Sequence, residues 1–162
     1  MSIPIRYLPK NLSKKDKIKQ KKELKKSKKL YKKNKYHTRK KIKSFKSKKS
    51  QHILNAEKIY NIKTLKINSE LSKKTGCSKK ALLKILKKGQ GAYYSSGSRP
   101  NQTAHSWGYA RLASSVSGGK ASAVDNHILE EYCDKNSRAL KLSRKAIKRF
   151  KHGTRRVKKV KL

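Results

Sequence analysis

Residues 89–137 are the one long stretch of this chain that can condense without repelling itself. They hold four basic and four acidic residues, whereas the other 113 of the 162 positions hold 44 basic and four acidic. Formal charge runs +20 over residues 1–50, +8 over 51–88, zero over 89–137 and +12 over 138–162, which sums to +40. Like charge at this density opposes compaction unless an anionic partner is near. The neutral stretch, which contains "GAYYSSGSRPNQTAHSWGYARLASSVSGG" at 91–119, is therefore expected to determine the fold, and the basic flanks to form the working surface.

The flanks favour a polyanion as partner. Of the basic residues 39 are Lys and nine are Arg. Lysine releases condensed counterions from phosphates, but it is a hydrated point charge that reads bases poorly. Binding without sequence preference is expected, with DNA first, RNA possible, and acidic protein surfaces as the other anionic class. No apolar run approaches a membrane span, and "MSIPIRYLPKNL" lacks the pattern of a signal peptide. Cys77 and Cys133 lie far apart and fit no zinc spacing, so two free thiols in a reducing compartment are expected.

Residues 1–50 read as a basic arm. Pro4 and Pro9 hold its start in a non-helical strap. "SKKDKIKQKKELKKSKKLYKKNKY" has helix-forming lysines and a cap signal at Ser13 and Asp16. Its apolar stripe of Ile18, Leu24, Leu30 and Tyr31 is too thin to bury a helix, so a disordered or frayed segment that orders on a partner is expected. "YHTRKKIKSFKSKKS" should be extended.

Residues 51–88 pattern better. "SQHILNAEKIYNI" reads as a short helix. Asn68 or Ser69 can cap a helix to about Lys74, Gly76 can end it, and Ser78 can cap a second helix that Gly89 terminates. Leu71, Cys77, Leu82 and Ile85 form the seam. The spacing resembles a helix-turn-helix with Lys79, Lys80 and Lys84 facing outward. Packing is preferred over groove reading, because the second helix has no Arg, Asn or Gln for paired base contacts.

In the neutral stretch "AYYSSGSRPNQT" is loop chemistry, and a helix starts near Thr103. A further helix is expected over "KASAVDNHILEEYC", with Ala121, Val124, Ile128 and Tyr132 on one face. "SRALKLSRKAIKRF" reads as a helix with Leu140, Ser143, Ile147 and Phe150 inward, ended by Gly153 before a basic tail.

Catalysis is not expected. Ser95, Ser96, Ser98, His105, Asp125 and His127 include the residue types of a hydrolytic triad, but no nucleophile elbow accompanies them. The acids Asp125, Glu130, Glu131 and Asp134 follow no calcium-loop spacing, and "GQGAYYSSGSRPNQ" lacks the ending of a phosphate-binding loop. No cofactor, metal or small-molecule substrate is expected. Tyr93, Tyr94 and Trp107 could stack on bases, but as the large side chains of a small domain they read first as its apolar mass. Arg99, on a turn, could clamp a carboxylate of 125–134 or meet a phosphate.

Residues 89–129 of the neutral stretch, "GQGAYYSSGSRPNQTAHSWGYARLASSVSGGKASAVDNHIL", resemble a small domain of unassigned function that recurs in large DNA viruses and, more loosely, in some tailed phages. "TGCSKKALLKILKKGQGAY", "PIRYLPKNLSKKDKIKQKKELKKSKKLY" and "TRKKIKSFKSKKS" are similar to the giant-virus form, so the resemblance covers most of the chain. It implies a viral setting and packaging in particles, and it carries no activity with it.

The expected fold is mainly α: a small helical domain over about 51–152, a long, lysine-rich, partly extended N-terminal arm over 1–50, and a basic C-terminal tail over 153–162. The expected function is that of a non-enzymatic structural protein of a large DNA virus, located in the virion and the infected cell. It would bind viral DNA or acidic coat proteins without reading sequence. A regulatory helix-turn-helix over 68–88 and a ribosome- or RNA-associated protein are the alternatives. The arm residues expected to meet the polyanion are Lys14, Lys15, Lys21, Lys22, Lys25, Lys28, Arg39 and Lys40. Lys79, Lys80, Lys84, Arg155 and Arg156 join them from the rest of the chain. The central motif is Tyr93, Tyr94, Ser96, Gly97, Arg99, Pro100, Asn101, Gln102, His105 and Trp107, with Arg111 and Asp125 beyond it.

Overall fold

The computed structural model describes residues 1–151 and 157–162. Gly153, Arg155 and Arg156 lie outside the described residues. The chain is mainly helical and divides into two compact units. Unit 1 comprises 1–48, 90–107 and the described residues from 157; unit 2 comprises 49–89 and 108–151. The division differs from the expected one, since the heart of the neutral stretch groups with the N-terminal residues. None of the described helices is long and apolar enough to cross a membrane.

Unit 2 is built on apolar side chains. It holds α2 (Gln51–Ile59), α3 (Ser69–Thr75), the first part of α4 (Lys79–Ser95) and most of α5 (Ala104–Val116). It also holds α6 (Lys120–Val124), α7 (Asn126–Tyr132) and α8 (Arg138–Phe150). Leu71, Leu82, Ile85, Leu112, Val116, Leu129 and Leu140 are all buried in one cluster, and each such side chain contributes about 1.5–3 kcal/mol when taken from water. Short polar caps set the helix ends. Asn68 Oδ1 accepts from Leu71 N at 2.9 Å, and Ser78 Oγ accepts from Ala81 N at 3.2 Å. Gly76 closes α3 in the left-handed region at φ 75°, where a Cβ would stand 2.5 Å from that of Ser137.

Three expectations in this half of the chain are corrected. Gly89 does not end α4, which continues to Ser95. A glycine in a helix costs only about 1 kcal/mol, and burial of Tyr93 on the added turns outweighs it. The single helix expected over 120–133 is broken at Asp125, which leaves Val124 exposed and Asp125 buried. Cys77 and Cys133 are joined in a disulfide rather than free. Ser78 N donates to Tyr132 O and Asp134 N to Gly76 O, so the backbone lays the two cysteine segments side by side.

Unit 1 overturns the expected arm. Residues 2–4 form β1 (Ser2–Pro4), which pairs antiparallel with β2 (Lys159–Lys161), a strand within the basic tail. A 3-10 turn follows at 5–7, and then α1 (Lys14–Tyr31), capped at Ser13 as its sequence predicts. The apolar centre is small: Ile3, Tyr7 and Leu24, with Leu8, Trp107, Val160 and Leu162 packed around it. Residues 32–50 hold no helix or strand, which suits the extended reading of 36–50, yet Arg39 and Ile42 within them are buried.

Candidate polyanion interface

α1 packs by a polar face. Its buried positions are Asp16, Gln20, Glu23, Leu24 and Ser27, at helical spacing, and only Leu24 is apolar. Asp16 and Glu23 are the only acids among the first 50 residues, seven positions apart, so they lie two turns apart on one side of the helix. Both bind the backbone of the 37–45 strap. Ser44 N donates to Asp16 Oδ2 at 2.8 Å and Lys40 N to Glu23 Oε2 at 2.9 Å. His37 Nε2 stands 2.9 Å from the same Glu23 oxygen, and Gln20 Nε2 donates to Tyr7 O at 3.0 Å. The hydroxyl and amide of Ser44 hold the Asp16 carboxyl below its ordinary range. For Glu23 burial opposes the charge, but the Lys40 amide and His37 outweigh it, and its carboxyl is also held low.

The consequence is electrostatic. With both acids turned inward, the outward face of α1 carries lysine alone among its charged residues. Lys14, Lys15, Lys22, Lys25, Lys26 and Lys29 are exposed, while Lys21 and Lys28 are half-buried. Burial and the charges of Lys159 and Lys32 push the Lys28 ammonium down, a sign of crowded positive charge along this side. Lys40 is exposed on the strap.

Arg39, expected on this surface, is buried instead. Its guanidinium stacks 3.8 Å from the Tyr93 ring centroid. It donates to Ser27 Oγ at 2.9 Å, Tyr93 O at 2.8 Å and Ser98 Oγ at 2.7 Å, while the Tyr93 hydroxyl accepts from Arg39 N at 3.0 Å. Burial lowers the Arg39 pKa, and the three acceptors with the ring face replace water around the cation.

The central motif is thus a clasp for the strap. Asn101, in the left-handed region at φ 61°, accepts from Ile42 N at 2.7 Å and donates to Ile42 O at 3.0 Å and Phe45 O at 2.8 Å. Gly97 ends α4 at φ 102°, and a Cβ there would meet Leu24 Cδ2 at 2.8 Å. Pro100 is buried, Ser96 and Arg99 are exposed, and Ser106 Oγ donates to Gln102 Oε1 at 2.8 Å. His105 is exposed in the first turn of α5. Trp107 meets Tyr7 edge-on at 5.8 Å. Tyr93 is fully buried, and Tyr94 lies between it, edge-on, and the 71% exposed Tyr36, tilted, with ring centroids 5.1 and 5.0 Å away.

In unit 2 the carboxylate clamp expected of Arg99 is made by Arg111. Its Nε and guanidinium nitrogen reach the two oxygens of Asp125 at 3.0 and 2.8 Å, Lys88 Nζ adds 2.8 Å and Ser115 Oγ 2.8 Å. Burial disfavours the Asp125 charge, yet Arg111, then Lys88 and Ser115, keep its carboxyl below the ordinary range. All four contacts are those of a buried ionic anchor that holds the α6–α7 break. On α4 the exposed Lys80 and Lys84 lie over the Tyr132 ring at 5.1 and 4.7 Å, beside exposed Lys79.

A family model, described as "Family of unknown function (DUF5824)", matches residues 4–138. The chain belongs to this family. The DUF5824 segment includes α1, the strap, the clasp and the Asp125 anchor, whereas all of α8 after Arg138, and β2, fall outside it. No curated protein and no solved structure matches the chain. Sequence reasoning missed Gln20, Glu23 and Ser27 because it sought an apolar stripe on α1. The signal that finds them is their helical spacing with Asp16.

Proposed function

We propose that this protein is a non-enzymatic structural component of the particle of a large DNA virus, and that it binds the DNA backbone without reading sequence through the outward lysine face of α1. The observation that carries this reading is the sorting of charge on that helix, with both acids buried and the lysines outside. Lys15, Lys22 and Lys29 repeat at seven-residue intervals, roughly 10 Å apart along the axis, and B-DNA offers a phosphate every ~3.4 Å per strand. A rigid row of this kind presents a charge for about every third phosphate, with little ordering cost. The exposed Lys40 on the strap extends the same field.

Binding to duplex DNA across a salt series tests it. Affinity should fall steeply with salt, and Lys15→Gln, Lys22→Gln and Lys29→Gln together should flatten the log–log slope by roughly 2–3. An affinity indifferent to salt overturns the reading. Strong preference for one DNA site over random duplex, lost on Lys80→Glu, would favour the helix-turn-helix over 68–88 instead. Tighter binding to structured RNA than to duplex DNA at equal salt would favour an RNA partner. Recovery of the protein with the DNA fraction of disrupted particles is the expected result for its location.

A further inference from the structure

We infer that unit 1 carries a second binding site beside the row of Lys15, Lys22 and Lys29: a groove that accepts an acidic segment of a partner protein, anchored by apolar side chains. Ile5, Leu8, Ile18 and Val160 form its floor, contributed by the 3-10 turn and its exit, α1 and β2. Lys14, Lys17 and Lys21 of α1 line it, joined by Lys10 from the preceding loop, and its volume is about 510 Å³. That size falls within the range of ligand-binding clefts. Ile18 stands out on this helix because it is 57% exposed while its polar neighbours Asp16 and Gln20 are buried.

The charge around the floor selects the occupant. Lys14, Lys17 and Lys21 extend over two helical turns, roughly 10 Å. A lipid carries its charge on one head and would meet one end of this row. A peptide carries carboxylates at successive positions and meets the whole of it. A nucleic-acid backbone would satisfy the lysines but leaves four aliphatic side chains facing water. An apolar anchor flanked by several Asp or Glu residues satisfies both, with the lysine stems covering its sides and their ammonium groups reaching its carboxylates. On α1 the groove adjoins the row of Lys15, Lys22 and Lys29, since Ile18 stands three residues after Lys15 and four before Lys22; the two activities are separable because Ile18 carries no charge and contributes only to the apolar floor.

Fluorescence anisotropy on the full chain tests the inference. The probe is a labelled peptide in which glutamates flank a Leu-Phe-Leu centre; its control carries serines at the centre. The glutamate–leucine peptide should bind, and Ile18→Ser should weaken it roughly tenfold or more, the worth of one buried isoleucine. Lys17→Gln with Lys21→Gln should weaken it as well and reduce its salt dependence. Ile18→Ser should leave the circular dichroism spectrum and the affinity for duplex DNA unchanged, which separates failure of this site from failure of the DNA reading. Equal affinity for the two peptides, or no effect of Ile18→Ser, overturns the inference. Oleate or phosphatidylserine vesicles that bind more tightly than the peptide and displace it also overturn it, in favour of a lipid.

Discussion

The two units achieve order by opposite means. Unit 2 buries sixteen hydrophobic residues in one cluster and adds a disulfide, whereas the corresponding cluster of unit 1 has three. Unit 1 compensates with directed polar contacts: Asp16 and Glu23 on strap amides, Arg39 on Tyr93, Ser27 and Ser98, and Asn101 on Ile42 and Phe45. A segment with twenty net positive charges has few apolar residues to bury. It becomes ordered only if its rare acids and amides each hold a particular backbone group. Hydrophobic burial is non-directional and tolerant, whereas a hydrogen bond left unmade in a buried place costs about 1–3 kcal/mol. Unit 1 should accordingly be the more brittle of the two.

The largest expected effect falls on unit 2. Cys77→Ser with Cys133→Ser removes a cross-link between residues 56 apart, worth roughly 4 kcal/mol in loop-closure entropy. The midpoint of a urea transition followed by circular dichroism should drop, and treatment of the unaltered protein with reductant should reproduce the drop. Unchanged midpoints would mean that the apolar cluster alone sets the stability of this unit.

Next, Leu82→Ala should cost about 3 kcal/mol, within the usual range for a buried leucine, because Leu82 is fully buried. Arg39→Met sharpens the contrast. It keeps the stem but strips donors from Ser27, Tyr93 and Ser98, and should cost about 2 kcal/mol. The single tryptophan, Trp107, lies in unit 1 against Tyr7, so its fluorescence reports that unit. Arg39→Met should shift the fluorescence transition to lower urea than the circular dichroism transition, and Leu82→Ala should not. The opposite pattern would break the assignment of polar clasps to unit 1.

Acid is the mildest probe. Asp16, Glu23 and Asp125 all have folded pKa values below their ordinary ones. Their stabilisation is complete above the ordinary carboxylate values of 3.8 and 4.5, and it is lost as pH falls through the lower folded values. Both units weaken in that window, but unit 2 keeps its apolar cluster and disulfide. Trp107 fluorescence should therefore change at higher pH than far-ultraviolet circular dichroism. Coincident transitions would show that the clasps add little.

Unit 2 was the more legible from sequence because its rules are local. Leu71, Cys77, Leu82 and Ile85 announce a helix pair, and Asn68, Gly76 and Ser78 mark its ends. Unit 1 is less legible because apolar periodicity is the main sequence signal of a packed helix, and a helix buried through Asp16, Gln20, Glu23 and Ser27 looks disordered by that measure. The Ser13 cap and the lysine helix propensity pointed the right way, but neither supplies a packing partner. Arg39 illustrates the limit at the candidate interface. Among so many basic residues, nothing local separates the one that stacks on Tyr93 from those that face solvent.

The sequence by itself determined the mainly helical character, the caps, the basic surface and the weight of the neutral stretch, since these depend on residues within a few positions or on composition alone. Tertiary structure decided which charges are spent inside and which remain outside. Asp16 finds Ser44, Arg39 finds Tyr93 and Asn101 finds Ile42 only after residues 28 to 59 positions apart have been brought together, and a hydrogen bond of fixed length and direction exists only in that final geometry.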